Sequence, residues 1–98
     1  MIKITLPFHL QRLAQIDPEV EIEVNGPATQ RAVIEALEQR YPTLRGAIVD
    51  LHTGKRRPLL RFFACQQDIS HEGLDSALPA AVVEGREEFL IVGAISGG

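Results

Sequence analysis

Two short segments near the start of the chain alternate between apolar and polar residues. In the first segment Ile2 and Ile4 would share one face of an extended strand, with Lys3 and Thr5 on the other face. In the second segment, 19–24, valine or isoleucine alternates with glutamate at every step. This period of two predicts two strands, each with one buried side, which would pair as an antiparallel hairpin with residues 11–18 as its loop.

The periodicity changes after an Asn-Gly-Pro turn signal. Apolar residues between Thr29 and Tyr41 recur at helical spacing, which predicts a helix of about three turns with one buried stripe. Thr29 suits the N-cap position, and Pro42 ends the helix because the residue before a proline avoids helical geometry. Arg31 and Glu35 lie four positions apart and are expected to pair on the helix surface.

The second half of the chain predicts two further strands. Residues 59–64 form a short apolar run, and residues 87–95 contain a run that is apolar on both faces, as is typical of a central strand. Residues 44–51 fit either a short helical turn or a packed connection. The polar segments 52–58 and 70–79 are expected to be loops.

The resulting order of elements is strand, strand, helix, strand, strand, which predicts an α+β fold. We expect a mixed sheet with one main helix packed across one face and with the first and last strands parallel at its centre. This is the β-grasp, or ubiquitin-like, architecture. Residues 1–95 would form the β-grasp domain, and residues 96–98 a flexible C-terminal diglycine tail.

Composition restricts the class of protein. A length of 98 residues suits one domain, and the net charge of −3 argues against a general nucleic-acid binder. The one cysteine, Cys65, excludes an internal disulfide framework. We find no apolar run long enough to span a bilayer and no secretory signal, so no membrane partner and a cytoplasmic location are expected.

The strongest chemical signal is the sequence Ile95, Ser96, Gly97 and Gly98. Glycine has no Cβ and reaches φ values that other residues avoid, so a diglycine end can thread through a narrow channel. Four extended residues span about 13 Å, enough for the end to enter a buried site while the domain stays outside. The competing interpretation is a frayed end without function.

With these features, the whole chain resembles the ubiquitin-like sulfur carriers. This family includes the small subunit of molybdopterin synthase, the thiamine-pathway sulfur carrier and the carrier proteins of cysteine biosynthesis. Most of the resemblance lies in the overall pattern. It includes the helix ending in Arg-Tyr-Pro at 40–42, the strand at 59–63 and the Gly-Leu-Asp turn at 73–75, and only the terminal Gly97 and Gly98 form a functional motif.

The resemblance implies a chemistry that the chain does not perform alone. An ATP-dependent activating enzyme would adenylate the Gly98 carboxylate, and a sulfur donor would displace AMP and leave a thiocarboxylate. A sulfur-acceptor biosynthetic enzyme would then consume the sulfur, in a molybdenum cofactor, thiamine, cysteine or related pathway. The carrier itself would bind no cofactor, hold no metal and have no catalytic residue, so it would be no enzyme.

Two other functions remain open on the same residues. A ubiquitin-like protein modifier would use the activated Gly98 to form isopeptide bonds with lysines of target proteins. A β-grasp binding module would use its sheet as an interaction surface and would leave the tail inert.

Partner enzymes need a surface on which to dock. One candidate is a basic edge that comprises Lys55, Arg56, Arg57 and Arg61. The other candidate is an apolar patch, to which one of the adjacent residues Phe62 and Phe63 would contribute. An acidic edge comprises Asp17, Glu19, Glu21 and Glu23. For both charged edges the simpler interpretation is a solvated surface. Cys65 is expected to be a partly buried core thiol.

Overall fold

The structure, a computed structural model, describes residues 1–93. These residues form a mixed sheet whose strands are connected along the chain by helices and loops. The elements in chain order are β1 (Ile2–Thr5), α1 (Phe8–Ala14), β2 (Glu19–Ile22), α2 (Gln30–Arg40), a 3-10 turn (Pro42–Leu44), β3 (Leu60–Ala64), β4 (Gln67–Asp68), α3 (Ala80–Val83) and β5 (Phe89–Gly93).

The five strands follow the order β2-β1-β5-β3-β4. β1 pairs antiparallel with β2 and parallel with β5, while β3 pairs antiparallel with β5. The predicted parallel pairing of the first and last strands at the centre of the sheet is therefore confirmed. β5 has β1 and β3 on its two edges. Its apolar residues divide between the two faces, since Phe89 and Ile91 are buried in the core whereas Leu90 and Val92 are partly buried on the other face.

Helix α2 lies across one face of the sheet and supplies the buried stripe predicted for it. Val33 and Leu37 are buried against the inward residues of the strands. Phe62 and Phe89 meet edge to face beneath the helix layer, with ring centroids 5.3 Å apart and planes at 90°. The Oγ1 of Thr29 accepts a hydrogen bond of 3.0 Å from the backbone N–H of Ala32, which confirms the predicted N-cap.

The connection between β1 and β2 differs from the prediction, because residues 8–14 form helix α1 rather than the start of a long loop. Only Leu10 of this helix is buried, whereas Phe8 and Leu13 are exposed. One buried residue gives no periodic pattern, so the sequence carried no helical signal here. Helix α1 ends at Ala14, and the C-cap residue Gln15 has a left-handed φ of 56°.

The predicted ion pair between Arg31 and Glu35 is wrong. Arg31 Nε instead donates to Asp75 Oδ1 at 2.8 Å, across 44 positions of sequence. The backbone N–H of Arg31 also donates to Leu74 O at 2.8 Å, so a hydrogen bond joins the loop before α3 to the first turn of α2. This hydrogen bond holds the neighbouring Asp75 close to Arg31.

Smaller elements complete the structure. β4 and α3 were not predicted, and the ambiguous residues 44–51 form a packed connection in which Leu44 and Ile48 are buried. The strand predicted over 87–95 is observed as Phe89–Gly93. Residues 87 and 88 of that prediction precede the strand. Residues 94 and 95, and the boundary between a domain of residues 1–95 and a tail of residues 96–98, lie outside the described part of the chain.

Candidate functional site

The described part of the site is the strand that leads to the diglycine sequence. The predicted site residues Ile95, Ser96, Gly97 and Gly98 themselves lie outside the described residues. β5 pairs with β3 along its whole length, from Phe89 opposite Ala64 to Gly93 opposite Leu60. Its pairing with β1 covers only Phe89 and Leu90. The strand is therefore held by β3 up to its last described residue.

Gly93 lies against the start of helix α1. A Cβ at this position would lie 3.1 Å from His9 Cε1 and 3.4 Å from Pro7 Cβ. The absence of a side chain at Gly93 thus lets α1 approach the end of β5 closely. Sequence reasoning missed this contact because nothing in the local pattern links residues 9 and 93.

The sheet face opposite α2 carries a small apolar patch, which we call the open face patch. Phe63 of β3 and Leu90 and Val92 of β5 are partly buried and lie on this face, because Phe63 is paired with Leu90 and strand residues alternate between faces. Sequence reasoning named Phe63 but missed Leu90 and Val92. The signal that identifies them was the apolarity of β5 on both faces.

Phe62 does not belong to this patch. It is fully buried and packs on Phe89 in the core, so the prediction of Phe62 as a partner-surface residue is wrong. Adjacent residues of a strand point to opposite sides, so only one of the two phenylalanines can face outward. The structure assigns that position to Phe63.

Polar contacts fix the borders of the open face patch. Thr5 Oγ1 donates to Glu88 Oε2 at 2.8 Å beside β5, and Arg61 Nη2 lies 2.9 Å from Asp68 Oδ2 across β3 and β4. Hydrogen bonds from Ser70, and then the Arg61 guanidinium, lower the pKa of Asp68 to about 2. Both carboxylates are therefore engaged within the protein.

Comparison with known proteins gives matches among solved structures only, since no family model and no curated protein matches the chain. SAMP1 from Haloferax volcanii superposes with a TM-score of 0.75 at 22% identity, covering 98% of this chain and 97% of that chain. A chain of the Amycolatopsis orientalis BexX/CysO complex gives a TM-score of 0.77 at 19% identity, with 100% of both chains covered. CysO from Mycobacterium tuberculosis gives 0.75 at 22% identity, covering 97% of this chain and 100% of that chain.

These agreements extend over nearly the whole chain, and with the strand order above they decide the architecture. The chain has the ubiquitin-like β-grasp fold. The resemblance found in the sequence is thus matched at the level of fold. At such low identities the matches carry no statement about activity, which must come from the site.

The basic edge predicted on this β-grasp domain does not form one patch. Arg61 lies on the open face, whereas Lys55, Arg56 and Arg57 lie in the loop before β3. Arg57 Nε donates to Gly46 O at 2.8 Å, and Arg56 Nη1 donates to the carbonyl oxygens of Arg57 and Leu60. The three arginines are therefore partly occupied by contacts within the domain.

Lys55 differs from these arginines. It is exposed beside Gly54, which turns the chain with a φ of 70°, and no ion pair found within residues 1–93 involves it. Within residues 1–93, Lys55 is thus the one cation of the predicted basic edge whose side chain has neither an ion pair nor a hydrogen bond.

Cys65 is exposed, so its prediction as a partly buried core thiol is wrong. It forms the turn between β3 and β4 with Gln66, and both residues have positive φ, 52° and 66°, as a tight two-residue hairpin turn requires. The turn lies beside Phe89, at the opposite end of β5 from Gly93 and about 13 Å from it at strand spacing. We assign Cys65 no role.

The predicted acidic edge follows the outer strand of the sheet. Glu19, Glu21 and Glu23 are all exposed, and β2 pairs only with β1 in the described sheet. Charged side chains on an edge strand disfavour pairing with another sheet. Repulsion of a second sheet edge is therefore sufficient reason for the glutamates.

No group of three or more His, Cys, Asp or Glu side chains within residues 1–93 is placed to hold a metal ion. Nor is any helix in this range long and apolar enough to cross a membrane.

Proposed function

We propose that this β-grasp domain is a sulfur carrier that transports sulfur as a thiocarboxylate on Gly98. The observation that carries the proposal is the position of β5. This strand is central in the sheet, presents Leu90 and Val92 on the open face and leads in sequence directly into residues 94–98. A partner that binds the open face patch would therefore find the diglycine sequence close to its own binding surface.

The chemistry requires two steps on the Gly98 carboxylate. A carboxylate oxygen attacks the α-phosphate of ATP in an activating enzyme, which forms an acyl-adenylate and releases pyrophosphate. Bisulfide from a sulfur donor then attacks the acyl carbon, AMP leaves, a proton is released and the thiocarboxylate remains. In the acceptor enzyme this sulfur either displaces a leaving group from an electrophilic carbon or adds to an unsaturated carbon whose neighbour takes up a proton, and a thioester forms. Water then hydrolyses the thioester, which returns the Gly98 carboxylate and leaves the sulfur on the product as a thiol.

Partner enzymes supply all the catalytic groups in this scheme, so the domain needs no nucleophile, base, metal or bound cofactor of its own. ATP binds to the activating enzyme. Gly97 acts as a spacer that fits a narrow channel, and Ser96 and Ile95 extend the reach of the end. The protein would act in the cytoplasm and deliver sulfur to a pathway for the molybdenum cofactor, thiamine, cysteine or a related compound.

We propose the open face patch as the docking surface for these partners. Phe63, Leu90 and Val92 offer apolar area. A partner meets mixed charge around it, from Lys3 and the Arg61–Asp68 ion pair and from Glu19 and Glu21 of β2, which lie on the same face. The match to a chain of the BexX/CysO complex supports docking, because it comes from a structure in which proteins are assembled together.

A second candidate function is conjugation to other proteins. The structural neighbour from Haloferax volcanii is a small archaeal modifier protein, which favours this alternative. The activation step is the same, but the acceptor of Gly98 is then the Nζ of a lysine on a target protein. Peptides that carry a lysine linked to Gly98 in digests of the native cells support the modifier. Their absence together with thiocarboxylate supports the carrier.

The activation step is tested by ATP–pyrophosphate exchange with the activating enzyme of the same cells. We expect exchange with the intact chain, loss of exchange when Gly98 is deleted, and normal exchange for the matched control Ser96→Ala. A Gly98-deleted chain that still supports exchange refutes both candidates. Absence of exchange with the intact chain likewise refutes both candidates, and it leaves the binding module with an inert tail, which also predicts unchanged partner affinity without Gly97 and Gly98.

A further inference from the structure

A groove runs along the helical side of the domain, between α2 and the loop of residues 49–56. Two adjoining depressions of about 170 and 360 Å³ share Arg31, Gly54 and Leu74 on their walls, so they form one continuous channel. We call it the helix-side groove. It lies on the face of the sheet that α2 covers, opposite the open face patch.

The smaller depression is apolar at its base and acidic at its rim. Ile34, Val49 and Leu51 provide the apolar surface, and Leu51 is 63% exposed. Ile34 is buried and Val49 is partly buried, so Leu51 supplies most of the exposed apolar area of this depression. The described structure therefore presents apolar area here that a partner can cover.

Glu35, Glu38 and Asp50 provide the acidic rim. Asp50 is partly compensated, because Arg57 Nη1 lies 3.4 Å from its Oδ2. Burial raises the pKa of Glu38, and Arg45 and the backbone N–H of Gly46 oppose that rise only in part. Neither Glu35 nor Glu38 takes part in an ion pair found within residues 1–93, so a cation placed in this depression could pair with both.

The charged side chains that line the larger depression are mostly positive. Lys55 and Arg56 line it together with Arg31, and Glu72 is its only acidic lining residue within the described chain. Arg31 is paired with Asp75, so Lys55 and Arg56 supply the positive charge available to a ligand. The groove is thus acidic and apolar at one end and positive at the other end, with Leu74 and the Arg31–Asp75 ion pair between them.

We propose that the helix-side groove binds an extended segment of a partner protein that carries a basic residue, aliphatic residues and an acidic residue in that order along the groove. The basic side chain pairs with Glu35 and Glu38, the aliphatic residues cover Leu51 and Leu74, and the acidic side chain pairs with Lys55. The long stem of arginine or lysine suits the acidic depression, since it can pack on Ile34 while its charged head reaches the rim.

The charge pattern selects this occupant over others. A nucleic acid would bring its phosphates against the three carboxylates of the smaller depression, which is unfavourable. A small anion would fill the positive end only and leave the exposed Leu51 uncovered. A segment with both charges satisfies both ends and covers Leu51.

The binding requires no chemistry at the tail, so it stands independently of the proposed sulfur transfer. Because the groove and the open face patch lie on opposite sides of the sheet, both can be occupied at once. A partner held at the groove could then remain bound while another engages the open face.

The test is an NMR titration of the full-length, 15N-labelled chain with a short acetylated and amidated peptide of the order arginine, leucine, leucine, glutamate. We expect saturable amide shifts confined to residues 30–38, 49–56 and 70–75, with a Kd of about 1 mM or tighter. A peptide in which the two charged residues are both serine should bind at least about threefold more weakly, since each exposed ion pair contributes modestly.

Three variants locate the binding on the chain. Glu35→Gln combined with Glu38→Gln, Lys55→Gln alone, and Leu51→Asn should each weaken the peptide at least about threefold. Glu23→Gln, an exposed glutamate outside the groove, is the matched control and should leave the affinity unchanged. Shifts centred on Phe63 and Leu90, equal binding of the uncharged peptide, or no saturable shift would each overturn the proposal.

Discussion

The assignment of two neighbouring phenylalanines to opposite faces of β3 makes a sharp prediction. Phe62 is fully buried against Phe89, whereas Phe63 lies partly buried in the open face patch. Replacing a buried phenylalanine by alanine costs about 3–5 kcal/mol, from lost burial and from the cavity that remains. We expect Phe62→Ala to lose that amount of unfolding free energy, a large share of the roughly 5–15 kcal/mol of a typical domain.

Phe63→Ala is the matched variant of the same chemistry one residue away. Because Phe63 is only partly buried, we expect a stability loss of about 1 kcal/mol and a loss of at least about fivefold in affinity for the activating enzyme. Phe62→Ala should lower the melting temperature by at least about 12 °C, at roughly 4 °C or more for each kcal/mol.

The unfolding free energies of the two variants are measured by urea denaturation. Unfolding is followed by far-ultraviolet circular dichroism because the chain has no tryptophan whose fluorescence could report it. Affinity is measured separately by titration with the activating enzyme. A Phe63→Ala variant that is as unstable as Phe62→Ala, or one that binds the activating enzyme normally, would refute the face assignment or the docking role of the patch.

Three further variants test the local structure by the same unfolding measurement. Thr29→Ala should cost about 1 kcal/mol because it removes the hydrogen bond to Ala32 N, while equal stability would contradict the cap. Gly85→Ala should cost about 1–3 kcal/mol, because Gly85 has a φ of 81° and a Cβ would lie 3.0 Å from Met1 O; an unchanged midpoint would contradict this strain. The pKa of Asp68 is about 2 in the fold and 3.8 without its contacts, so its contribution is complete above pH 3.8 and disappears as the pH falls through 2. Asp68→Asn should lower stability at neutral pH and converge with the parent near pH 2, and a constant difference down to that pH would contradict the low pKa.

The sheet could be predicted because its determinants are local. Alternation set the inward faces of β1 and β2, and the run of apolar residues in β5 placed that strand at the centre. Phe62 and Phe63 could not be separated in the same way, since residues 59–64 are apolar at almost every position and give no alternation to read. Their register with β5 resolved the choice.

The features that escaped prediction depend on contacts distant in sequence. Helix α1 buries only Leu10, so its apolar pattern was too weak to indicate a helix. Arg31 forms its ion pair with Asp75 only because the loop before α3 packs against α2. The exposure of Cys65 depends on the short hairpin to β4, whose two residues carried no strand signal.

The central claim is that sulfur is carried on Gly98, and the intact mass of the chain tests it most directly. The chain is isolated from its own cells under mild, non-reducing conditions and is measured again after incubation with its activating enzyme, ATP and a sulfur donor. We expect a species in which one oxygen is replaced by sulfur, and we expect that sulfur to map to a C-terminal peptide that ends at Gly98. A carboxylate that persists unchanged after the incubation would contradict it.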